Sequence, residues 1–259
     1  MTDNISNKYA KRIVNAFLKD KLISPLPLKY TKNISDAEKF RKLCEKKISI
    51  PICGFKAAGT GIAVLKKLKE KEPFYATIYK RNVLKNKARV KFNKFTMGVE
   101  LEVCYLIKKS FFNYKKKITN QSVKKFISHI APCIEIVGYR QKKKGIKSLG
   151  DLCSDFGANV KFIIGSKKKY KNQNVNNLKT NISNMKLNQF VNGNTNTVYI
   201  NPMNSLIFVL NKLQKDDIKH NKNFYVFTGS TVGIVPILGK GIYKGAIDKL
   251  GLVSTKLIG

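Results

Sequence analysis

Only 15 of the 259 residues are Asp or Glu, against 51 Lys or Arg, so the placement of the acids carries information. Glu100 and Glu102 alternate with Val99, Leu101 and Val103 in MGVELEVCYLI (97–107). Alternation is the period of a β-strand, so the two carboxylates share one face and the three aliphatic side chains the other. Same-face neighbours stand roughly 6.6 Å apart along a strand, within reach of one ion. A third acid, Glu135, stands in an equally apolar run, CIEIV (133–137). Burying a carboxylate without a partner is costly, and three close together repel unless a cation neutralises them. The chemistry open to such a set is to hold a hard divalent cation, whose oxygen ligands must converge at short range. The other reading is ordinary: each strand shows one face to water, and the glutamates pair with nearby lysines.

Other reactive side chains give little. The five cysteines, at 44, 53, 104, 133 and 153, form no CxxC pair and are odd in number. They read as reduced, buried thiols rather than a disulfide framework or a zinc site. His129 is expected in a helix ahead of Glu135 and His220 in a Lys-rich turn, each read as a satisfied or exposed side chain.

The elements that must position the acids follow from periodicity. Apolar residues at helical spacing predict a helix over Asn7–Leu22. Ser35, with Glu38 three residues on, predicts a capping box and a second helix to about Lys46. A short strand over Ile48–Phe55, a glycine-bearing loop over Ala57–Gly61 and a short helix over Ile62–Lys69 follow. From Phe74 onward β-type runs dominate: 74–78, 90–92, 97–107, 133–137, 160–164, 186–190, 197–200 and 223–228. Asn192-Gly193 reads as a hairpin turn. Helices are expected at Ser122–Ile130 and at Pro202–Leu213, the latter with Pro in its first turn. Lys115–Lys117, Lys142–Lys144 and Lys167–Lys169 read as solvated loops. The pattern is that of an α+β fold on a curved, mixed sheet.

The formal charge of +36 suggests nucleic acid as a partner. Two features argue against a dedicated nucleic-acid function. The basic residues run along the whole chain, and only those at 12, 41, 81, 89 and 140 are Arg, the usual donor for bidentate recognition. A chain-wide Lys and Asn excess fits compositional drift, although such a field still attracts anions. Apolar runs fall far short of the roughly 20 residues of a membrane-spanning helix. No secretory signal is visible, so a soluble, cytoplasmic protein is expected.

In the order and spacing of its motifs the chain resembles the fumarylacetoacetate hydrolase superfamily, and within it the 2-keto-4-pentenoate hydratase family. The segments that carry the resemblance are Ser35–Phe40, ICGFKAAGTG (52–61), EPFYATIYKRNVLKNKARVKFNKF (72–95), MGVELEV (97–103), IAPCIEIVGYR (130–140), Asp151–Gly165, NPMNSLIFVLNKL (201–213) and VFTGSTVGIVPILGKGIYKGAIDKLGLVS (226–254). The resemblance implies a C-terminal-domain-like curved mixed β-sheet, or β-roll, with peripheral helices. It also implies an N-terminal arm over 1–72, a catalytic domain over 73–259, and a homo-oligomer. It makes Glu100, Glu102 and Glu135 ligands of Mg²⁺ or Mn²⁺, with Glu102 also catalytic. Lys56 becomes a catalytic and substrate-binding lysine, set between Gly54 and Gly59. Arg140, Thr228 and Gly229 become substrate contacts. The implied activity is that of a metal-dependent hydro-lyase on a small 2-oxo or 2-hydroxydienoic acid, through a metal-stabilised enolate. The same triad would serve a 2-oxo acid decarboxylase or a C–C hydrolase. A divergent non-catalytic homologue, or a basic polyanion-binding protein, is the remaining alternative.

The chain departs from the family pattern at several places. Gly138-Tyr139 replaces Asp-Ser before Arg140, Phe156 replaces the Asn after Asp155, Ala76 replaces a Gly, and Lys240 replaces an acid in a late turn. These changes bear on substrate choice and on the shell that tunes a metal site.

Overall fold

The computed structural model describes residues 2–142, 146–199 and 201–259. The chain begins with two helices, α1 (Thr2–Lys19) and α2 (Ile34–Glu45), then β1 (Ile52–Ala58), α3 (Ile62–Leu68) and β2 (Phe74–Tyr79). Two short strands, β3 (Val83–Lys85) and β4 (Arg89–Lys91), lead into the long β5 (Thr96–Ile107). The single turn α4 (Asn120–Val123) precedes the equally long β6 (Ile127–Gly138). Then come α5 (Leu149–Ser154), β7 (Asn159–Ile164), β8 (Lys168–Lys169), β9 (Lys179–Asn184) and β10 (Gln189–Asn194). The chain closes with α6 (Pro202–Lys215), β11 (Phe224–Ser230), β12 (Val235–Pro236), β13 (Gly241–Ile247) and β14 (Gly251–Ile258).

Among the described residues the strands form two sheets. The larger runs β2-β1-β11-β5-β6-β7-β3, with β12 added on β5 and β8 on β6; the smaller runs β10-β9-β13-β14-β4. Both mix parallel and antiparallel pairs, β1 lying parallel to β11 and β14 parallel to β4. The expected α+β architecture on a curved mixed sheet is what the chain forms. β1, from the N-terminal stretch, is an interior strand between β2 and β11.

Alternation sets which face is buried against what. Val99, Leu101 and Val103 of β5 and Ile134 and Ile136 of β6 enter the main core, where they join Ile182, Tyr243 and Val253 of the smaller sheet. The helical side has its own core, in which Ala10, Ile13 and Phe17 of α1 meet Phe40 of α2, Tyr79 and Phe156. The larger sheet is thus apolar toward the smaller sheet, and its other face carries the acids. No helix among the described residues is long and apolar enough to cross a membrane.

Several local expectations need correction. α2 starts one residue before Ser35 and is capped by Asn33, whose side chain accepts from the Asp36 N–H. The segment 122–130 forms only the turn α4, capped by Thr119, and from Ile127 it is strand. His129 therefore lies in β6, opposite Leu106, and not in a helix. Asn192 and Gly193 lie inside β10, paired with Asn181 and Thr180, and the β9–β10 turn is made by residues 185–188. Residues 195–197 form a 3₁₀ turn, not a strand. The expectations at Ile200, Lys143 and Lys144 lie outside the described residues.

Candidate metal centre

β5 and β6 pair antiparallel with Glu100 opposite Glu135 and Glu102 opposite Cys133. The register places the three glutamates on one face, and one carboxylate oxygen from each lies within 4.8 Å of the others. Glu102 and Glu135 are fully buried, whereas Glu100 is half-buried. Burial of Glu102 and Glu135 rules out, for those two, the ordinary reading of exposed glutamates paired with surface lysines.

One lysine does meet them. Lys56 Nζ, itself buried, lies 2.5 and 2.6 Å from the two Glu135 oxygens and donates to the Gly157 carbonyl at 3.3 Å. β1 and β6 are separated by β11 and β5. Three inter-strand steps in a flat sheet span about 14 Å, more than two side chains cover, so the contact requires the sheet to curl around the site.

Glu102 is held from the other side. Its Oε2 accepts from the Gly229 N–H at 2.8 Å, and its Oε1 is buried with no hydrogen-bond partner. Gly229 adopts φ +101°, and a Cβ there would sit 2.0 Å from Thr60 Oγ1, so only glycine allows this approach. Thr228 faces away from the glutamates: its hydroxyl donates to the Val103 carbonyl, and its own carbonyl accepts from Ser205.

Electrostatics follow from burial and crowding. Burial, then Glu102, pushes the Glu100 carboxyl up to about 7, against the pull of Lys56. Glu135 is raised well above the carboxylate range, by burial first, with Lys56 opposing and Glu102 and Glu100 adding. Burial works against the Lys56 ammonium, but Glu135, Glu102 and Glu100 outweigh it and raise its pKa. Three carboxylates thus face one ammonium, with one buried oxygen unpartnered. An all-oxygen, charge-deficient set of this kind fits Mg²⁺ or Mn²⁺.

Arg140 is not at this centre. Its guanidinium is fully buried between the rings of Phe17 and Phe95, at 5.1 and 5.2 Å. It donates to Asp155 Oδ1 at 2.9 Å and to the Asn159 carbonyl at 2.5 Å, while its backbone N–H donates to Asp155 Oδ2. Between those two partners lie Phe156, Gly157 and Ala158, at φ +54°, +73° and +58°. Three consecutive left-handed residues are strained and persist only where the surroundings fix them. Arg140 fixes both ends of this turn, and the turn presents the Gly157 carbonyl to Lys56. The expected substrate contact at Arg140 is therefore replaced by a structural clamp. Phe156 packs against Phe17, with ring centroids 4.8 Å apart, on the helical side. Gly138 admits no side chain, because a Cβ would fall 2.8 Å from the Phe95 carbonyl.

A cleft of 580 Å³ opens onto Lys56, Glu100 and Gly229. Thr60, Leu152, Thr197, Ser230 and Ile234 also line it and were not singled out from the sequence. Thr60, Leu152, Ser230 and Ile234 lie inside segments that carry the resemblance and Thr197 lies outside them; only the fold brings the five together.

No protein-family model matches the sequence, and no curated protein matches it. Solved structures do. The chain is similar to 4-oxalocrotonate decarboxylase from Pseudomonas putida G7, complexed with magnesium and adipate, with a TM-score of 0.83 and 18% identity over 100% of this chain and 99% of that one. It is also similar to fumarylpyruvate hydrolase from Pseudomonas aeruginosa, in complex with Mn²⁺ and pyruvate, with a TM-score of 0.60 and 12% identity over 80% of this chain and 90% of that one. A protein from Yersinia pestis CO92 described as of the fumarylacetoacetate hydrolase family matches with a TM-score of 0.59 and 13% identity, over 82% of this chain and 95% of that one. The fold of this chain is that of these solved structures.

Proposed function

We propose that this chain is a divalent-metal-dependent enzyme acting on a small 2-oxo or 2-hydroxydienoic acid, with addition of water as its reaction. The observation that carries the reading is the convergence of three glutamates, two of them fully buried, beside a buried lysine at the floor of a cleft. Similarity to a decarboxylase and a hydrolase solved with magnesium and Mn²⁺ supports it.

Glu100, Glu102 and Glu135 would hold Mg²⁺ or Mn²⁺, with Gly229 N–H orienting Glu102. Bound there, the ion supplies Lewis acidity toward a carboxylate and its neighbouring oxo group. Lys56 Nζ holds a proton at the floor of the cleft, and Glu135 and the Gly157 carbonyl fix its position. It is the group placed to pass that proton to the reacting carbon of a bound acid. A cation beside it would offset the glutamates and bring its pKa down toward a useful range. The Gly229 backbone, at the cleft wall, limits where the acid lies.

Decarboxylation of a 2-oxo diacid is the second reading, favoured by the 0.83 TM-score to 4-oxalocrotonate decarboxylase. The test is to supply Mg²⁺ and 2-hydroxypenta-2,4-dienoate and to follow loss of the dienol absorbance. Absence of turnover with every dienoic and 2-oxo acid, in a protein that binds Mn²⁺, would sink the catalytic reading. A steeply salt-dependent affinity for RNA without metal binding would favour a polyanion-binding protein instead.

A further inference from the structure

The polarity of the cleft is one-sided. Among the described residues that line it, Lys56 is the sole cation, and its ammonium is already committed to Glu135. The one acid lining it is Glu100. Away from that floor the walls are Ile62 and Val64 of α3, Val137 of β6, Leu152 of α5 and Ile234. The remaining polar lining groups, Thr60, Asn196, Thr197 and Ser230, are neutral.

A ligand that presents a carboxylate and oxo group to the glutamate centre must send the rest of its length along these walls. A second carboxylate lying against these partly exposed apolar walls would shed part of its water and gain no cationic partner among the described residues, which is unfavourable for a charge. An aliphatic tail would instead cover apolar surface already exposed in the cleft. At 580 Å³ the cleft is of the size that takes ligands larger than a five-carbon acid. The overall charge of +36 attracts any anion, but it acts at long range and is screened by salt. It does not substitute for a partner inside the cleft.

We infer that the site is selective for 2-oxo or 2-hydroxydienoic monocarboxylates with an uncharged, apolar tail, and that it discriminates against dicarboxylates of the same length. The inference rests on the reading of the glutamate centre as the site for a 2-oxo acid. Ile62, Val64, Leu152 and Ile234 are the residues that set the selectivity.

The test compares 2-oxohexanoate with 2-oxohexanedioate, which differ only in the second carboxylate. Binding to the Mn²⁺-loaded full chain is measured by calorimetry at about 0.15 M salt, where the Debye length is about 8 Å. The monoacid is expected to bind at least about tenfold more tightly. Ile234→Lys, at an exposed rim position, is expected to narrow or reverse that ratio without loss of Mn²⁺ binding. Equal or tighter binding of the diacid by the unaltered chain overturns the inference, as does an unchanged ratio in the Ile234→Lys variant. Failure of both acids to bind while Mn²⁺ binds also overturns it and leaves the metal centre standing. Failure to bind Mn²⁺ removes the metal reading itself.

Discussion

Lys56 Nζ bridges both carboxylate oxygens of Glu135 across two intervening strands, and no other cation among the described residues makes an ion pair with the three glutamates. Lys56→Met removes that charge and leaves the carboxylates facing each other. Loss of one partner of a buried pair costs about 3–5 kcal/mol, so urea unfolding of the metal-free variant should show a loss of that order. Mn²⁺ should recover part of it, because the ion takes over neutralisation, while turnover should not return.

Glu102→Gln keeps shape and still accepts from Gly229 but removes a charge. Mn²⁺ affinity should fall by more than about a hundredfold, beyond the roughly 10–100-fold effect typical of groups that only orient ligands. Calorimetric titration checks it, and unchanged affinity would remove Glu102 from the ligand set.

Gly229→Ala places a Cβ against Thr60 and demands a left-handed backbone of alanine. A cost of about 1–3 kcal/mol is expected, together with weakened Mn²⁺ binding as the Glu102 hydrogen bond shifts. Thermal unfolding with and without Mn²⁺ measures both effects.

Metal binding and stability should depend on pH in opposite senses. Glu100 has its pKa pushed up to about 7 by burial and by Glu102, above the ordinary 4.5. Between those values the folded chain holds a proton that the unfolded chain has released, so metal-free stability falls as pH rises through the window. A divalent ion needs the deprotonated form, so its affinity rises over the same range. The Tm increase on adding Mn²⁺ should therefore be larger at about pH 8 than at about pH 5.5.

Arg140→Lys keeps a charge but cannot make the forked contact with Asp155 and the Asn159 carbonyl. Stability should fall, while KM for the acid stays within about twofold, as expected for a residue that binds no substrate. A tenfold rise in KM at unchanged stability would return Arg140 to the substrate.

The sequence carried the glutamates because alternation in a strand is local: Val99, Leu101 and Val103 could be assigned to the core, and Glu100 and Glu102 to the other face. It carried less where a short-range signal competes with a long-range approach. Asn192-Gly193 has turn chemistry, yet Gly193 lies in β10, where a Cβ would stand 2.0 Å from the Thr231 carbonyl. Its glycine serves close packing and not a bend. Ser122 has capping chemistry, yet β6 starts at Ile127, because pairing with β5 outweighs the propensity of a short helix. The clamp of Arg140 on residues 155–159 was illegible for another reason. Left-handed Phe156 and Ala158 contradict their own backbone preferences, and only the assembled surroundings impose them.

The position of β1 between β2 and β11 has a consequence for how the protein is made. The β5–β6 pair, which bears all three glutamates, joins neighbours in sequence and can form early. Lys56 instead pairs in register with Phe227, from far down the chain. The acids lie on strands that are neighbours in sequence, whereas β11, beside which the strand of their lysine is seated, emerges later in synthesis, and only then can the sheet close. Closing it is a slow, non-local step, so the finished centre is among the last things this chain acquires.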